Sequence, residues 1–473
     1  MAVNKHQKQP HNKKKKKSKK FFIILAIEIL TILLLFGAYR LYILWPDKQK
    51  EITNDLKEAI GENGTSLSPK ELAARAEQEK LRQENKERQD LIAQADKMTL
   101  GYDYDGAIEL IKGYQGSQGG YKVYTVLSTA VDRLVKEKEA LVLYGNSYSS
   151  VTEINQLFFH TLIADTSLAF DGDGDTKGYN MYMITISEFE KILQILYDKG
   201  YVLVSMSDLT KKVTLEDGTT KYTANDIYLR EGQKPFVLSE DDVSYYKYMQ
   251  GDGFASKLIV GEDGKPTCEM VLSNGTISTG AFDIVPILDA FIEEHPDFSY
   301  QGAKGLLNLT GYEGILGYRT NDPDSPTYEA DVEAAKKVVQ VLKAEGWEIG
   351  SHSWGHKNMQ VESLGVLKTD TARWLKEVGP LVGPTDIYTF PFGDDIETTS
   401  GTYRSDKYQF LKDSGFNVFL GVYKEPWMHV KKDYVRMTRR PIDGQALIEF
   451  PERLQDLFNA TEVIDPQRPE KDW

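Results

Sequence analysis

The sequence predicts an α/β fold in which a parallel sheet is covered by helices. Three short apolar strands predict it, at 201–205, 347–350 and 416–421, because a helix that ends at a glycine precedes each of them. Nearly continuous apolar runs of this kind are typical of strands that are buried on both faces of a parallel sheet. The chain has 473 residues, of which 41% are hydrophobic, and can therefore bury a large core.

The first 45 residues predict a membrane anchor. Residues 1–20 carry nine lysines and no acidic residue, and the apolar stretch 21–45 is interrupted only by Glu28 and Arg40. A helix of that length spans the ~30 Å of a bilayer core. We therefore expect a basic cytoplasmic tail, a single transmembrane helix at 21–45 and an extracellular remainder, with a cleaved signal peptide as the alternative.

Residues 46–145 predict a helical stalk. Ser68-Pro69-Lys70-Glu71 is a capping box with proline at the first helical position, so a helix is expected to begin there. Its stretch 77–90 has almost no apolar face, as expected of a solvated spacer. Further helices are predicted at 105–112 and 121–139. A helical-repeat module that binds a partner is the alternative to a plain stalk.

Residues 150–465 predict the α/β domain itself. The capping box Ser187-Glu188-Phe189-Glu190 predicts the start of its first long helix. The long connection after the strand at 236–238 predicts an insertion at about 251–328. The elements expected in this insertion are a hairpin, 257–260 with 268–272, and a helix, 284–294. The insertion is expected to select the substrate or form a lid, or else to be a structural addition.

Polar side chains follow the predicted strands at their carboxyl ends, which share one face of a parallel barrel. Asp241 and Asp242 follow one strand, and His352 and His356 follow another. Two imidazoles and one carboxylate with an open position are a ligand set of catalytic zinc. We therefore predict that Asp242 and the two histidines bind a divalent metal ion, zinc or else cobalt or nickel, and that Asp241 takes a proton from water. Histidines that cap a strand and a solvated acidic loop are the alternatives.

The order of these motifs resembles that of the polysaccharide deacetylase family, the carbohydrate esterases with NodB homology. The pattern is a strand that ends in Asp-Asp, then His-Ser-x-x-His, then an aromatic-rich Pro-Phe-Gly turn, 391–393 in this chain. Leu157-Phe158-Phe159-His160 matches the strand that often opens this domain. The resemblance covers roughly 151–466 and implies a distorted (β/α) barrel with fewer than eight regular units, preceded here by the transmembrane helix and the stalk.

The resemblance also implies roles for individual residues. The segment with Phe392 and Gly393 lines the acetyl pocket in the family and can offer a backbone N–H to the oxyanion. Asp241 matches the catalytic base of the family, and the matches to its metal ligands are Asp242, His352 and His356. The candidate substrate-binding residues are Pro391, Phe392, Gly393 and Trp354.

The chain departs from the family pattern at three positions beside the predicted site. Glu240 stands where an aromatic residue is usual, and Val243 where a glycine is usual. Thr389 stands where an arginine commonly orients the base. This last departure predicts weaker control over the pKa and orientation of Asp241.

The general acid cannot be assigned from the family pattern, because the late Leu-x-x-His motif of the family is not visible. The corresponding segment reads Arg436-Met437-Thr438-Arg439-Arg440-Pro441-Ile442. His429 follows His356 in the chain and is our first candidate for the acid, with His160 as the second.

These patterns predict a metal-dependent deacetylase that removes N-acetyl groups from an acetylated amino-sugar polysaccharide, such as peptidoglycan or poly-N-acetylglucosamine. An inactive barrel that binds glycans or assists envelope assembly, and an O-acetyl esterase, are the alternatives. The formal net charge of −14 argues against nucleic acid as a partner. The single cysteine, Cys268, excludes an internal disulfide or a multi-cysteine metal site.

Overall fold

The structure is a computed structural model that describes residues 68–144, 153–218, 220–397 and 402–471. The predicted basic tail and transmembrane helix lie outside these residues. Within them, no helix has both the length and the apolar character needed to cross a bilayer. The chain divides into two compact units, 1–89 and 90–473, and the described part of the first is helical from Pro69.

The helices of the described residues begin with a long helix and end with short ones. In chain order they are α1 (Pro69–Leu100), α2 (Tyr104–Lys112), α3 (Thr125–Glu139), α4 (Thr166–Ala169), α5 (Thr176–Tyr182), α6 (Ile186–Asp198), α7 (Met206–Leu209), α8 (Ile284–Glu294), α9 (Tyr328–Ala344), α10 (Leu364–Glu377), α11 (Gly379–Val382), α12 (Asp406–Asp413), α13 (Gly444–Ile448) and α14 (Ala460–Val463).

The strands of the described residues include those of the α/β domain, from β4 onward, and shorter ones before it. In chain order they are β1 (Gln115–Gly116), β2 (Gly119–Gly120), β3 (Val142–Tyr144), β4 (Asn155–Phe159), β5 (Tyr201–Leu203), β6 (Thr210–Thr214), β7 (Thr220–Ala224), β8 (Ile227–Leu229), β9 (Lys234–Asp241), β10 (Lys257–Val260), β11 (Pro266–Val271), β12 (Ile277–Gly280), β13 (Leu306–Leu309), β14 (Glu348–Ser351), β15 (Ile387–Thr389), β16 (Val418–Val422), β17 (Met428–Val430) and β18 (Val435–Pro441).

Seven parallel strands close into a barrel. Going round it, β9 is followed by β13, β14, β15, β16, β18 and β4, which pairs with β9 again. β5 pairs with the first half of β9, and β17 lies antiparallel on β18. The predicted α/β barrel is therefore confirmed. Because the seven strands run in one direction, their carboxyl ends share a single mouth.

Alternation along the strands separates an inner core from an outer one. Inward side chains such as Val237, Leu306 and Met437 belong to one buried cluster. Outward side chains such as Leu238 and Phe419 belong to a second cluster, which they share with the surrounding helices. Towards the mouth the inward positions become polar, and this change of character places the candidate site.

Two predicted boundaries differ from the observed ones. The capping box of α6 is formed by Thr185 and Glu188, because each accepts a hydrogen bond from the backbone N–H of the other. The predicted box that began at Ser187 is therefore wrong. β9 extends to Asp241 rather than ending at Leu238, so Asp241 is the last residue of the strand itself.

The helices before the barrel match their predictions closely. The Ser68 hydroxyl and the Glu71 carboxylate form the predicted capping box at the start of α1. Helices α2 and α3 bury a shared core that includes Ile111, Leu127 and Leu134. The turn before α3 is a short 3₁₀ segment, where the sequence predicted helix.

The insertion packs against the barrel as part of the outer core. β10, β11 and β12 form an antiparallel sheet, of which the sequence predicted the first two strands, and α8 has the predicted bounds. Leu258 of β10, Cys268 of β11 and Leu288 of α8 are fully buried in the outer cluster. These elements are therefore supported by the same packing as the barrel.

Candidate active site

Asp241 and Asp242 both face the mouth of the barrel although they are consecutive residues. Neighbouring residues of a strand normally point to opposite faces. Asp242 has a φ of 60°, in the left-handed region, and this turn brings its side chain to the same side as Asp241. His356 and Phe392 also have left-handed φ values, 46° and 60°. Strained backbone of this kind tends to cluster at functional sites.

Asp242, His352 and His356 form a compact group of potential metal ligands. One carboxylate oxygen and one ring nitrogen from each histidine lie within 4.8 Å of one another. Asp242 Oδ2 is 3.5 Å from His356 Nε2, and the two imidazole centroids are 5.0 Å apart. One carboxylate and two imidazoles match the donor set that zinc and similar divalent ions prefer.

Neighbouring groups orient two of these potential ligands. His352 Nδ1 is hydrogen-bonded to the Thr389 carbonyl oxygen at 2.9 Å, which leaves Nε2 to face the cluster. Burial lowers the pKa of His352 to about 4, so its imidazole is neutral at pH 7. The Tyr246 hydroxyl donates to Asp242 Oδ1 at 2.9 Å. Partners of this kind fix the tautomer and direction of metal ligands, and the residues present therefore fit a divalent ion.

Asp241 is buried and is held by side chains from two other strands. Arg439 Nη1 donates to both carboxylate oxygens, at 2.6 and 2.8 Å, and Asn308 Nδ2 donates to Oδ1 at 2.8 Å. Oδ2 lies 3.7 Å from His352 Nε2 and so faces the histidine pair. Burial favours a raised pKa for Asp241, but the basic groups around it, Arg439 foremost, together hold that pKa well below its usual range.

The expected loss of control over Asp241 is corrected by the structure. Thr389 does replace the usual arginine on β15, but Arg439 on β18 supplies a guanidinium to the same carboxylate. Thr389 instead donates from its hydroxyl to Asn308 Oδ1 at 2.7 Å, which directs the Asn308 amide nitrogen towards Asp241. The departure at Thr389 is thus compensated by an arginine from a different strand.

The two other departures beside the site are also accommodated. Glu240 points outward from β9 and is buried beside Asp283, where burial and then the Asp283 charge raise its pKa well above the usual range. Burial beside a second carboxyl thus favours the protonated form of Glu240. Val243 fits in place of glycine because the left-handed φ values fall on Asp242 and Tyr245, at 60° and 49°.

The insertion holds the connection that follows β9. Arg319 donates to the carbonyl oxygens of Ser244 at 3.3 Å and Tyr245 at 2.6 Å. This connection carries Tyr246, whose hydroxyl binds Asp242. The insertion therefore supports a potential metal ligand through the backbone, while its role in substrate selection stays a prediction.

The two candidates for the general acid lie in different places. His429 pairs with Arg436 across β17 and β18, and paired residues share a face. Arg436 and Arg439 are three positions apart on one strand, so His429 projects from the face opposite to the contact with Asp241. His160 follows β4 and points into the barrel. It lies close enough to Asp241 and Asp443 to lower the pKa of both carboxyl groups.

The predicted substrate-binding residues differ in their exposure and in the hydrogen bonds that they already make. Phe392 is 64% exposed, and its ring centroid is 4.6 Å from that of His356. Pro391 is buried beneath it. The Gly393 N–H donates to the Phe390 carbonyl at 3.0 Å within the turn, so the expected role of this N–H at an oxyanion is not supported.

Trp354 is engaged by neighbouring side chains. Its indole Nε1 donates to Glu377 at 2.8 Å, and the Arg373 guanidinium lies 3.4 Å from the ring centroid. The Trp354 carbonyl oxygen also accepts from two N–H groups of the connection after β13. These contacts favour a structural role over the predicted contact with substrate.

Sequence reasoning missed several residues that complete the site. Asn308 and Arg439 orient Asp241, and Tyr246 orients Asp242. Asn308 interrupts an apolar strand, and Arg439 follows Val435 and Met437 at alternate positions of β18, so both could have been found as polar side chains among apolar inward ones. Tyr246 had no such signal, because its position depends on the turn after β9.

No protein-family model matches the chain, and no curated protein matches its sequence. Similar solved structures include the Streptococcus pyogenes deacetylase PplD in complex with acetate, which is 12% identical with a TM-score of 0.35 over 64% of this chain and 97% of PplD. A protein described as a polysaccharide deacetylase from Mycobacterium smegmatis is 15% identical with a TM-score of 0.22, over 35% of this chain and 47% of that protein. The chitin deacetylase of the fungal pathogen Colletotrichum lindemuthianum is 9% identical with a TM-score of 0.20, over 38% and 76%.

These TM-scores denote a distant similarity, so the chemistry of the site is inferred from its own side chains. The three matched proteins are all named as deacetylases.

Proposed function

We propose that the chain is a metal-dependent deacetylase that removes N-acetyl groups from an amino-sugar polysaccharide. The observation that carries this proposal is the placement of Asp241 beside the group of Asp242, His352 and His356. Three protein ligands with an adjacent buried carboxylate are the parts that hydrolysis of an amide by activated water requires.

Each residue has a defined task in the proposed reaction. Asp242, His352 and His356 would hold a divalent ion, which when bound supplies a Lewis acid for the acetyl carbonyl. Asp241 is ionised, and its Oδ2 faces the histidine pair, so it accepts the proton of the attacking water. The water oxygen bonds to the carbonyl carbon, the C–N bond breaks, and acetate and a free amine result.

The leaving nitrogen needs a proton, and His160 is the better placed donor. Its ring Nδ1 is hydrogen-bonded to the Tyr182 carbonyl oxygen at 3.1 Å, which directs the other ring nitrogen away from that contact. It lies close enough to Asp241 for its charge to act on that carboxylate. His429 lacks this placement, because it shares the outward face of Arg436.

The proposed activity is tested with the purified full-length chain and N-acetylglucosamine oligomers. We expect acetate release that is lost after chelation and restored by zinc, cobalt or nickel. A product that bears a free amine identifies N-deacetylation, whereas acetate released only from O-acetylated glycans would identify an esterase. Inactivity of the metal-loaded chain on every acetylated glycan would refute catalysis.

Substitution of the two histidines separates the candidates for the general acid. We expect His160→Gln to lower kcat on the order of 10²-fold, because the amine leaves without its proton donor. His429→Gln is the matched control and should retain kcat within about twofold. A loss on the order of 10²-fold is expected only for a group that exchanges a proton with the reacting atoms. Steady-state acetate release measures both. The reverse order of effects would assign the acid to His429.

We further propose a single-pass membrane protein whose barrel faces a cell-surface glycan. The lysine-rich residues 1–20 followed by the apolar residues 21–45 support this orientation, because positive charge favours the cytoplasmic side. Peptidoglycan and an exported N-acetylglucosamine polymer are the candidate substrates. Protease accessibility of the barrel in intact cells measures the orientation, and protection from added protease would contradict it.

A further inference from the structure

We propose that two aromatic platforms on opposite sides of the mouth bind a neutral amino-sugar chain lengthwise, with the reacting sugar between them. This inference rests on the proposed function and specifies the substrate as an internal segment of a polymer rather than a single sugar or a chain end. The first platform is Tyr248, and the second is formed by Phe392 and Tyr423.

Tyr248 is a rigidly supported but exposed aromatic ring. It is 55% exposed and lies nearly parallel to two buried rings, Tyr246 at 5.9 Å and Tyr179 at 6.4 Å. Tyr246 in turn stacks on Tyr312 at 5.3 Å. Supporting an exposed ring in this way removes its rotational freedom in advance, which lowers the entropic cost of binding. Tyr246 also binds Asp242, so the platform is one side chain away from the potential metal ligands.

Phe392 and Tyr423 form the second platform. Phe392 is 64% exposed, and its ring lies 4.6 Å from that of His356, a potential metal ligand. Tyr423 is 48% exposed, and its backbone N–H donates to the Arg439 carbonyl oxygen at 3.1 Å. Phe392 thus contacts a potential metal ligand through its ring, and Tyr423 is anchored through its backbone to Arg439, the residue that holds Asp241.

The order of strands places the platforms across the mouth from each other. Tyr248 follows β9, whereas Phe392 follows β15 and Tyr423 follows β16. Round the seven-stranded barrel, β15 lies three strands after β9 and β16 lies four strands after it. A ligand that touches both platforms must therefore cross the centre of the mouth, where Asp241 and the histidines lie.

The chemistry of the platforms selects a neutral sugar chain. A pyranose ring has an apolar face of C–H groups that packs on an aromatic ring, while its hydroxyls stay in contact with water. Carboxylates lie beside the ring stack that supports the first platform: Asp173, Asp175 and Asp252 have oxygens within 4.8 Å of one another, and Tyr179, on which Tyr248 stacks, donates to Asp252 at 2.8 Å. Glycans that carry carboxylate or phosphate groups would be repelled there.

Chain-length dependence of acetate release tests the platforms. We compare N-acetylglucosamine dimer and pentamer as substrates of the wild type and of Tyr248→Ala, Tyr248→Phe and Tyr228→Ala. Tyr228 is 43% exposed on β8, which is not a barrel strand, and serves as the matched control. In the wild type we expect kcat/KM to be at least about tenfold higher for the pentamer than for the dimer.

Tyr248→Ala should lose about tenfold in kcat/KM on the pentamer, mainly through KM, and less than about twofold on the dimer. Tyr248→Phe and Tyr228→Ala should behave as the wild type. Equal losses by Tyr248→Ala on both substrates, or a wild type indifferent to chain length, would overturn the proposal. Competition by oligogalacturonate as strong as that by the neutral pentamer would overturn the preference for neutral chains.

Binding measurements keep this inference separate from the proposed catalysis. If the wild type releases no acetate from any glycan, calorimetric titration with the pentamer still tests the platforms. An affinity about tenfold weaker in Tyr248→Ala than in Tyr228→Ala would support them without turnover. Equal affinities of these two variants would reject them.

Discussion

Asp241→Asn is expected to lower the rate of acetate release on the order of 10²- to 10⁴-fold while the metal ligands stay in place. The amide cannot accept a proton from water, and no other carboxylate is held by Arg439 in the described site. Asp242, His352 and His356 are unchanged, so metal content should remain that of the wild type. Steady-state acetate release together with elemental analysis of the purified protein measures both quantities.

The same substitution leaves the buried Arg439 guanidinium without its counter-charge. Removing one partner of a buried ion pair typically costs ~3–5 kcal/mol, so lost activity must be separated from lost folding. The double variant Asp241→Asn with Arg439→Met removes the unpaired charge and is expected to recover stability but not turnover. Recovery of turnover in this variant, or full activity of Asp241→Asn, would contradict the assignment of Asp241 as the base.

The barrel and the group of potential metal ligands could be predicted because their signals are local in the sequence. Each lies where an apolar strand ends, and the Asp-Asp and His-Ser-x-x-His motifs stand at such ends. A parallel barrel brings those ends together whatever the details of its packing. Only the left-handed φ of Asp242, which turns it to the side of Asp241, needed the structure.

The partners of Asp241 could not be predicted in the same way. Asn308 lies 67 residues and Arg439 198 residues from Asp241 in the chain, and both reach it only through strand register. Sequence reasoning compared Thr389 with the usual position of the arginine and inferred weakened control. The guanidinium that contacts Asp241 is instead on β18, a strand that this comparison did not consider.

The expectation for His429 depends on strand register in the same way. Its late position in the chain suggested the missing acid, but β17 is antiparallel to β18 and lies outside the barrel order. His429 is paired with Arg436 on β18, and because Arg436 points out of the barrel, His429 does so too. His160 is distant from the usual position of the acid in the chain, yet β4 is the neighbour of both β9 and β18.

Arg439→Gln is expected to move the acidic limb of the pH–rate profile to higher pH. Burial favours a raised pKa for Asp241, and removing the guanidinium takes away the largest of the effects that oppose burial. The base would then be protonated over more of the acidic range, so kcat/KM should fall at a higher pH than in the wild type. The variant should also lose ~3–5 kcal/mol of unfolding free energy at pH 7, because a buried carboxylate loses its partner.

The direction of the stability change with pH follows from the same pair. A carboxyl whose pKa is lowered by folding stabilises the protein above its unfolded pKa of about 3.9 and loses that contribution as the pH falls through the folded value. Arg439→Gln removes this contribution at neutral pH. Arg440→Gln is the matched control, since Arg440 is equally buried but faces outward to Asp456. It should lose stability in chemical denaturation without shifting the pH–rate limb. If the acidic limb of the pH–rate profile lay at the same pH in both variants, Arg439 would not set the pKa of the base.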